Sequence, residues 1–297
     1  MSYGRFVDTG TLARISSLDL LAKTVVEGFV SGLHRSPFLG RSMDFAEYRA
    51  YQPGDDIRRV DWKLFCRTDR FYVKEFEADT NTNLTIALDV SRSMDFGTGA
   101  VTKLDYGRYL AACLGYFASK QKDRIGLVTF DSGIVDFVPP AAKHLQVVLH
   151  TIDRIEPGGG GSLREPLLEV VDAVRRRSMV VLISDFYEDP ETVIRTAAGF
   201  RHKGNDVILF HLLDPAELRF DFDGELDLRD LETGVREAVM PDVLRDQYLE
   251  LIREHTRTLD RSLVEAGIDY TLVDISQPLD AALYSYLSAR LYAMKAR

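Results

Sequence analysis

The 297-residue sequence contains only two cysteines, Cys66 and Cys113, and no CxxC motif. A disulfide framework and a zinc site made of paired cysteines are therefore excluded, and we expect a reducing, cytoplasmic location. Basic charge is also scarce, because 37 Lys and Arg stand against 46 Asp and Glu, a formal net charge of −9. A dedicated nucleic-acid binder would need the opposite balance to displace phosphate counterions.

Long apolar runs are absent as well. No segment approaches the ~20 apolar residues that a membrane-spanning helix needs, and the first ten residues lack the basic and apolar segments of a signal peptide. We therefore expect no membrane span. What is present is an ordinary globular composition, 45% hydrophobic and 28% charged, over a length that suits one large α/β domain or two small ones.

From residue 84 onward, short apolar runs alternate with helical patterns. Strands are predicted at 84–89, 125–130, 134–138, 179–184, 207–213 and 269–274, and helices at 104–121, 143–155, 164–176, 190–202, 241–266 and 279–295. Near-continuous apolar strands between helices predict a Rossmann-like, doubly wound α/β fold with a mostly parallel sheet. The strand at 134–138 is expected to pair with 125–130 as a hairpin.

Residues 1–83 have a different pattern. Apolar spacings of three and four predict an amphipathic helix over 11–33, and a charged, aromatic-rich segment follows with short strands near 44–51 and 71–77. We therefore divide the chain into an N-terminal extension, residues 1–83, packed on a body, residues 84–297. Within the body, Leu218–Phe222 and Glu225–Leu231 flank Asp223-Gly224, which predicts a β-hairpin insertion at about 214–240.

Polar side chains follow the strands of the predicted sheet on one edge, where ligands of open α/β sheets bind. The first strand runs into Asp89, Ser91 and Ser93, a later loop carries Ser162, and the fourth strand ends at Ser184-Asp185. Such oxygen ligands suit Mg²⁺ or Mn²⁺ rather than zinc or copper. The alternative is that Ser91 and Ser93 are ordinary helix-cap hydroxyls and Asp185 is a loop carboxylate.

A strand followed by DxSxS, a later hydroxyl and a strand-end Asp resembles the von Willebrand factor A domain with its metal-ion-dependent adhesion site. The segments Ser36–Arg49, Tyr51–Arg58, Asp61-Trp62-Lys63 and Arg67-Thr68-Asp69 resemble the bacterial "domain of unknown function 58" family, as do Asp214–Glu217, Arg229–Gly234 and Pro278–Arg290. The resemblance covers residues 12–293.

The resemblance implies direct metal coordination by Ser91 and Ser93, with Asp89 and Asp185 acting largely through bound water. Ser162 stands where von Willebrand A domains usually have Thr. A partner's acidic residue is expected to complete the coordination, and the resemblance implies a MoxR-type AAA+ ATPase as partner, acting with a protein client. Candidate partner contacts in the charged segment are Arg58, Asp61, Trp62 and Arg67.

The leading hypothesis is thus a non-enzymatic interaction module that works through a divalent cation in the maturation or chaperoning of a protein complex. The main alternative is a metal-dependent hydrolase of phosphate esters that uses Asp55, Asp56 or Asp131 as additional acids. A third possibility is a scaffold whose vestigial site binds nothing. Asp55, Asp56 and Asp61 also have a simpler interpretation, in which they pair with neighbouring Arg and Lys residues.

Overall fold

The computed structural model describes residues 9–12, 15, 17–34, 48–50, 71–74, 82–159, 164–174, 177–222, 226–229 and 235–295. Contacts divide the chain into one unit of Met1–Glu27 with Thr82–Arg297 and a second unit of Gly28–Asn81. The second unit contains β1 (Tyr48–Ala50) and β2 (Tyr72–Lys74), an antiparallel pair at the two predicted positions.

The body is built on a single six-stranded sheet. Its strands are β3 (Asn83–Asp89), β4 (Arg124–Phe130), β5 (Ile134–Ala141), β6 (Ser178–Ser184), β7 (Asp206–Leu213) and β10 (Asp269–Asp274). They are ordered β10-β7-β6-β3-β4-β5, and every neighbouring pair is parallel except β4 and β5. The predicted α/β fold, its mostly parallel sheet and the β4–β5 hairpin are confirmed.

The longer helices after β3 lie in the predicted connections, whereas the short helices at 9–12 and 215–219 were not predicted. The helices are α1 (Thr9–Leu12), α2 (Leu18–His34), α3 (Lys103–Lys120), α4 (Leu145–Asp153), α5 (Arg164–Ala173), α6 (Pro190–His202), α7 (Pro215–Arg219), α8 (Pro241–Glu265) and α9 (Asp280–Lys295). The helix predicted over 11–33 begins instead at Leu18, because Ser17 accepts the amides of Leu20 and Leu21 and so caps the new helix start. Within the described ranges, no helix combines the length and the hydropathy that crossing a membrane requires.

The core lies on both faces of the sheet, as parallel strands require. On one face, Val170, Phe200 and Leu259 from α5, α6 and α8 pack in a cluster with β3, β6 and β7. On the other face, the rings of Phe117 in α3 and Tyr286 in α9 meet edge to face, with centroids 5.9 Å apart. β3 is buried at six of its seven residues and lies between β4 and β6, so its carboxyl end is held at the centre of the rim.

The insertion contains a hairpin, but not in the predicted register. The strands are β8 (Leu226–Arg229) and β9 (Arg236–Val239), which pair antiparallel. The predicted first strand, 218–222, is wrong: its first two residues finish α7 and Phe220 takes a left-handed conformation with φ 51°. Pro215 at the first turn and the reciprocal capping of Asp214 and Glu217 start a helix here, and they outweigh the strand-like pattern that follows.

Candidate functional site

The carboxyl end of β3 forms the floor of the candidate site. Asp89, the last residue of the strand, is fully buried, and its Oδ1 accepts the amide of Ser91 at 2.8 Å. This local bond turns the chain directly into a short 3-10 helix, Arg92–Asp95, anchored by buried Met94. The DxSxS segment thus folds into one tight turn, as its spacing predicts.

The two serines of this turn face each other. The Ser91 and Ser93 hydroxyl oxygens lie 3.1 Å apart, and the Ser91 side chain makes no capping bond to the 3-10 helix that it precedes. The helix-cap interpretation of Ser91 is therefore wrong. The two hydroxyls are hydrogen-bonded to each other at this distance. Adjacent oxygens around an octahedral ion with bonds of ~2.1 Å are also about 3 Å apart, so the spacing of the pair is compatible with Mg²⁺ coordination.

The end of β6 is joined to the end of β3. The Ser184 hydroxyl donates to Asp89 Oδ2 and accepts the Phe186 amide at 3.0 Å. Between them, Asp185 is only 1% exposed. The carboxylates at the ends of both strands therefore lie at one rim of the sheet, where the sequence predicts them.

The turn after Asp185 is strained. Phe186 has a φ of 44°, a left-handed conformation that costs a bulky residue about 1–2 kcal/mol. Its carbonyl accepts the Glu188 amide at 2.7 Å and lies 3.2 Å from Nε2 of His255 on α8. Burial of the Phe186 ring and these bonds hold the turn, and with it the backbone position of Asp185.

The electrostatics of the rim favour a bound cation. Burial, together with the nearby charge of Asp185, raises the pKa of Asp89 to about 7, although bonds from Ser184 and Ser91 act in the opposite direction. The Asp89 carboxylate therefore lies beside a second negative charge in a site with little solvent. A divalent ion would stabilise both charges at once.

A buried lysine, which the sequence analysis missed, completes the charge cluster. Lys103, the first residue of α3, is 1% exposed, and its Nζ lies 2.8 Å from Asp185 Oδ2 and 2.7 Å from Glu217 Oε1. The ammonium also lies 4.8 Å from the centre of the Tyr187 ring. Burial alone would lower the pKa of Lys103, but the charges of Asp185 and Glu217 outweigh it and raise that pKa.

A second network fixes the loop that follows the DxSxS turn. Asp214 accepts the Thr98 hydroxyl at 2.6 Å and the Thr98 amide at 2.9 Å, and its own amide donates to Glu217 Oε2 at 2.7 Å. The start of the insertion is therefore bonded to the DxSxS loop through Thr98 and to Lys103 through Glu217.

A third contact set brings the loop after α4 to the same turn. The Gly158 amide donates to the Val90 carbonyl at 2.7 Å, and the Arg92 amide donates to the Gly159 carbonyl at 3.1 Å. Asp131 Oδ2 accepts the Gly159 amide at 3.0 Å. The loop that leads to Ser162 thus starts against the DxSxS turn, but Ser162 itself lies outside the described residues.

Asp131, an additional acid in the hydrolase hypothesis, is occupied by this loop. Desolvation would raise its pKa, but bonds from Gly159, Gly133 and Ser132 prevail and lower it. Its described contacts are thus structural. The other additional acids, Asp55 and Asp56, and the candidate partner contacts lie outside the described residues; those contacts are Arg58, Asp61, Trp62 and Arg67.

The donor set that could hold a hard divalent ion combines two hydroxyls with two carboxylates. Within the ranges that the structure describes, no three His, Cys, Asp or Glu side chains gather as a metal site. Asp89, Ser91, Ser93 and Asp185 would hold the ion, with two hydroxyls at coordination spacing and two buried carboxylates beside them. Among these oxygens, Asp185 Oδ2 is already engaged by Lys103.

Comparison with known proteins gives both sequence relatives and structural neighbours. The chain is 31% identical over 276 residues to Uncharacterized protein Rv1480 of Mycobacterium tuberculosis, which covers 90% of this chain and 86% of that protein. Among solved structures, BatB from Bacteroides thetaiotaomicron aligns with a TM-score of 0.49 at 16% identity, over 73% of this chain and all of that one. The SpRpn10 VWA domain aligns with a TM-score of 0.42 at 13% identity, over 69% of this chain and 94% of that one.

The family model described as "Protein of unknown function DUF58" matches residues 47–258. This range includes most of the charged segment, the DxSxS turn, Asp185 and the insertion. The match extends over most of the chain and agrees with the resemblance seen in its motifs. The chain belongs to the DUF58 family.

Proposed function

We propose that this chain is a non-enzymatic protein-interaction module that binds its partner through a divalent cation, Mg²⁺ or Mn²⁺. Asp89, Ser91, Ser93 and Asp185 would hold the ion, with Ser162 as a further ligand. The observation that carries the proposal is the hydroxyl pair of Ser91 and Ser93, 3.1 Å apart and beside two buried carboxylates. When bound, the ion supplies a charged coordination position in which a partner's carboxylate replaces a water.

The chain's own residues have separate tasks in this proposal. The Ser91 and Ser93 hydroxyls would hold the ion, while Asp89 orients the turn through the Ser91 amide and Ser184. The strained turn at Phe186 positions Asp185. Beside the turn, a cavity of about 510 Å³ is bordered by Val90, Val135 and Ile155 together with Asp136, Arg154 and Glu156, and it offers room for the residues that flank a partner's carboxylate.

We further propose that the partner is a MoxR-type AAA+ ATPase and that the pair acts in the cytoplasm on the maturation or chaperoning of a protein complex. The family resemblance supports this partner. An acidic residue of the partner would reach this rim only through a bound cation, because the carboxylates of the rim repel a free carboxylate.

The test is a pull-down of the host's MoxR-type ATPase on the tagged chain, in Mg²⁺ and in EDTA. We expect capture in Mg²⁺ and loss in EDTA. The variant Ser93→Ala should lose capture, since it removes one hydroxyl of the pair. The control Asp95→Asn changes an exposed carboxylate of the same segment and should retain capture. Equal capture in both buffers would exclude a metal bridge.

A further inference from the structure

Lys103 occupies a position that helix stability does not explain. It is the first residue of α3, where the positive end of the helix dipole disfavours a cation. Its side chain is buried on the same helical stripe as Tyr106, Gly107 and Leu110. An unpaired ammonium would be strongly destabilising there, so its two carboxylate partners must compensate.

The partners of Lys103 connect two parts of the rim. Asp185 belongs to the candidate metal site, whereas Glu217 belongs to α7 at the start of the insertion. Glu217 is itself held by the Asp214 amide at 2.7 Å. The Tyr187 ring, 4.8 Å away, covers the ammonium on another side. Lys103 is thereby kept against Asp185.

The charges of this cluster can be counted directly. In the fully ionised state that a bound cation would favour, Asp89, Asp185 and Glu217 contribute three carboxylates and Lys103 contributes one ammonium, a net charge of −2. A bound divalent ion brings the cluster to neutrality. Without Lys103, the loaded cluster would remain negative and would repel an incoming carboxylate.

We propose that Lys103 sets the charge balance of the metal site, weakening the hold on the ion in order to admit a carboxylate ligand. It acts as a positioning and specificity residue, and the inference rests on the proposed function. Lys103 is proposed to lower the affinity for the ion and to raise the affinity for the carboxylate. These opposite effects distinguish its role from a structural one, because a merely damaged site would lose both affinities together.

Three variants distinguish an effect of the cluster's net charge from a loss of its structure. Lys103→Met removes the ammonium and keeps a side chain of similar length. Glu217→Gln removes one carboxylate and leaves Lys103 and Asp185 in place. The double variant Lys103→Met/Glu217→Gln restores the wild-type net charge, so it is the matched control for both.

The experiment uses the full chain, with Mn²⁺ binding followed by electron paramagnetic resonance and with acetate as the carboxylate probe at constant ionic strength. Thermal melts in EDTA verify that each variant is folded. Lys103→Met should bind Mn²⁺ more tightly, by roughly tenfold, and bind acetate at the loaded site more weakly by a similar factor. Glu217→Gln should shift both affinities in the reverse direction, and the double variant should return towards wild type.

Two results would overturn the inference and leave the proposed function standing. One is a fall in both affinities in Lys103→Met, and the other is a shift of the two affinities in the same direction in folded Glu217→Gln. Failure of the wild-type chain to take up Mn²⁺ would overturn the proposed function and this inference together.

Discussion

Burial of the Lys103 ammonium to 1% exposure costs several kcal/mol unless partners compensate it. The partners come from 82 and 114 residues further along the chain, at Asp185 and Glu217. The sequence does offer one sign, a lysine on the apolar stripe of α3. Its partners could not be inferred, because local periodicity does not tell which distant carboxylates the fold brings to that stripe.

The positions of the strand-end residues, unlike the partners of Lys103, could be predicted from local pattern. Asp89 and Asp185 each follow an apolar run, and parallel neighbouring strands place their carboxyl ends at one edge. The bond between Ser184 and Asp89 is a direct result of this register. Ser162 and the charged segment around Trp62 remain predictions, since they lie outside the described residues.

A residue-scale prediction concerns His211, a fully buried residue of β7 whose Nδ1 lies 2.7 Å from the Tyr270 hydroxyl. Burial and the nearby His255 lower its pKa from 6.5 to about 3. Between these two pH values the unfolded chain binds a proton at this histidine and the folded chain does not. The His211 contribution to the free energy of unfolding is therefore present above pH 6.5 and is lost as the pH falls towards 3.

The variant His211→Asn removes this titration and retains an amide that is able to bond Tyr270. Its free energy of unfolding in EDTA, from urea melts between pH 4 and 6, should depend on pH less steeply than wild type by about 1.4 kcal/mol per pH unit. The opposite contribution from Asp89, whose pKa is raised, is common to both proteins and leaves the difference in slope unchanged. Parallel curves for the two proteins would contradict the prediction.

At the scale of elements, the regular strands and helices of the body followed from periodicity, whereas the insertion did not. Asp223-Gly224 suggested a turn between two strands, but β8 pairs with β9 at 236–239. The proline and capping pair at 214–217 define α7, and Phe220 ends it. The capping residues at 214–217 therefore produced a helix where the turn signal had predicted a strand over 218–222.

A prediction at this scale concerns the loop from α4 to α5. A Cβ at Gly158 would collide with Asp131 Oδ2, so the Asp131 side chain would have to move and give up its bond to the Gly159 amide, whereas a Cβ at Gly159 meets that oxygen only at 3.8 Å. Gly158→Ala should therefore lower the free energy of unfolding by about 1–3 kcal/mol. The measurement is a urea melt. The variant should also bind Mn²⁺ more weakly, because the loop leads to Ser162.

Gly159→Ala is the matched control. It adds the same methyl group one residue later and should change stability by less than about 0.5 kcal/mol. Equal losses in the two variants would show that the Asp131 contact does not fix this loop.

For the whole molecule, three distant segments converge on one rim. The DxSxS turn is bonded to β6 through Ser184, to the loop after α4 through Gly159, and to the insertion through Thr98 and Asp214. The proposed cation site is thus connected to the start of the insertion by direct contacts.

In the proposed function, this rim binds one divalent ion through Ser91 and Ser93. Calorimetric titration of the full chain with Mn²⁺ measures this binding, with Ser91→Ala/Ser93→Ala and the control Asp95→Asn measured alongside. We expect one ion per chain for wild type and Asp95→Asn, and a loss of at least about tenfold in affinity for the double variant. Absence of binding by the wild-type chain, or unchanged binding by the double variant, would contradict it.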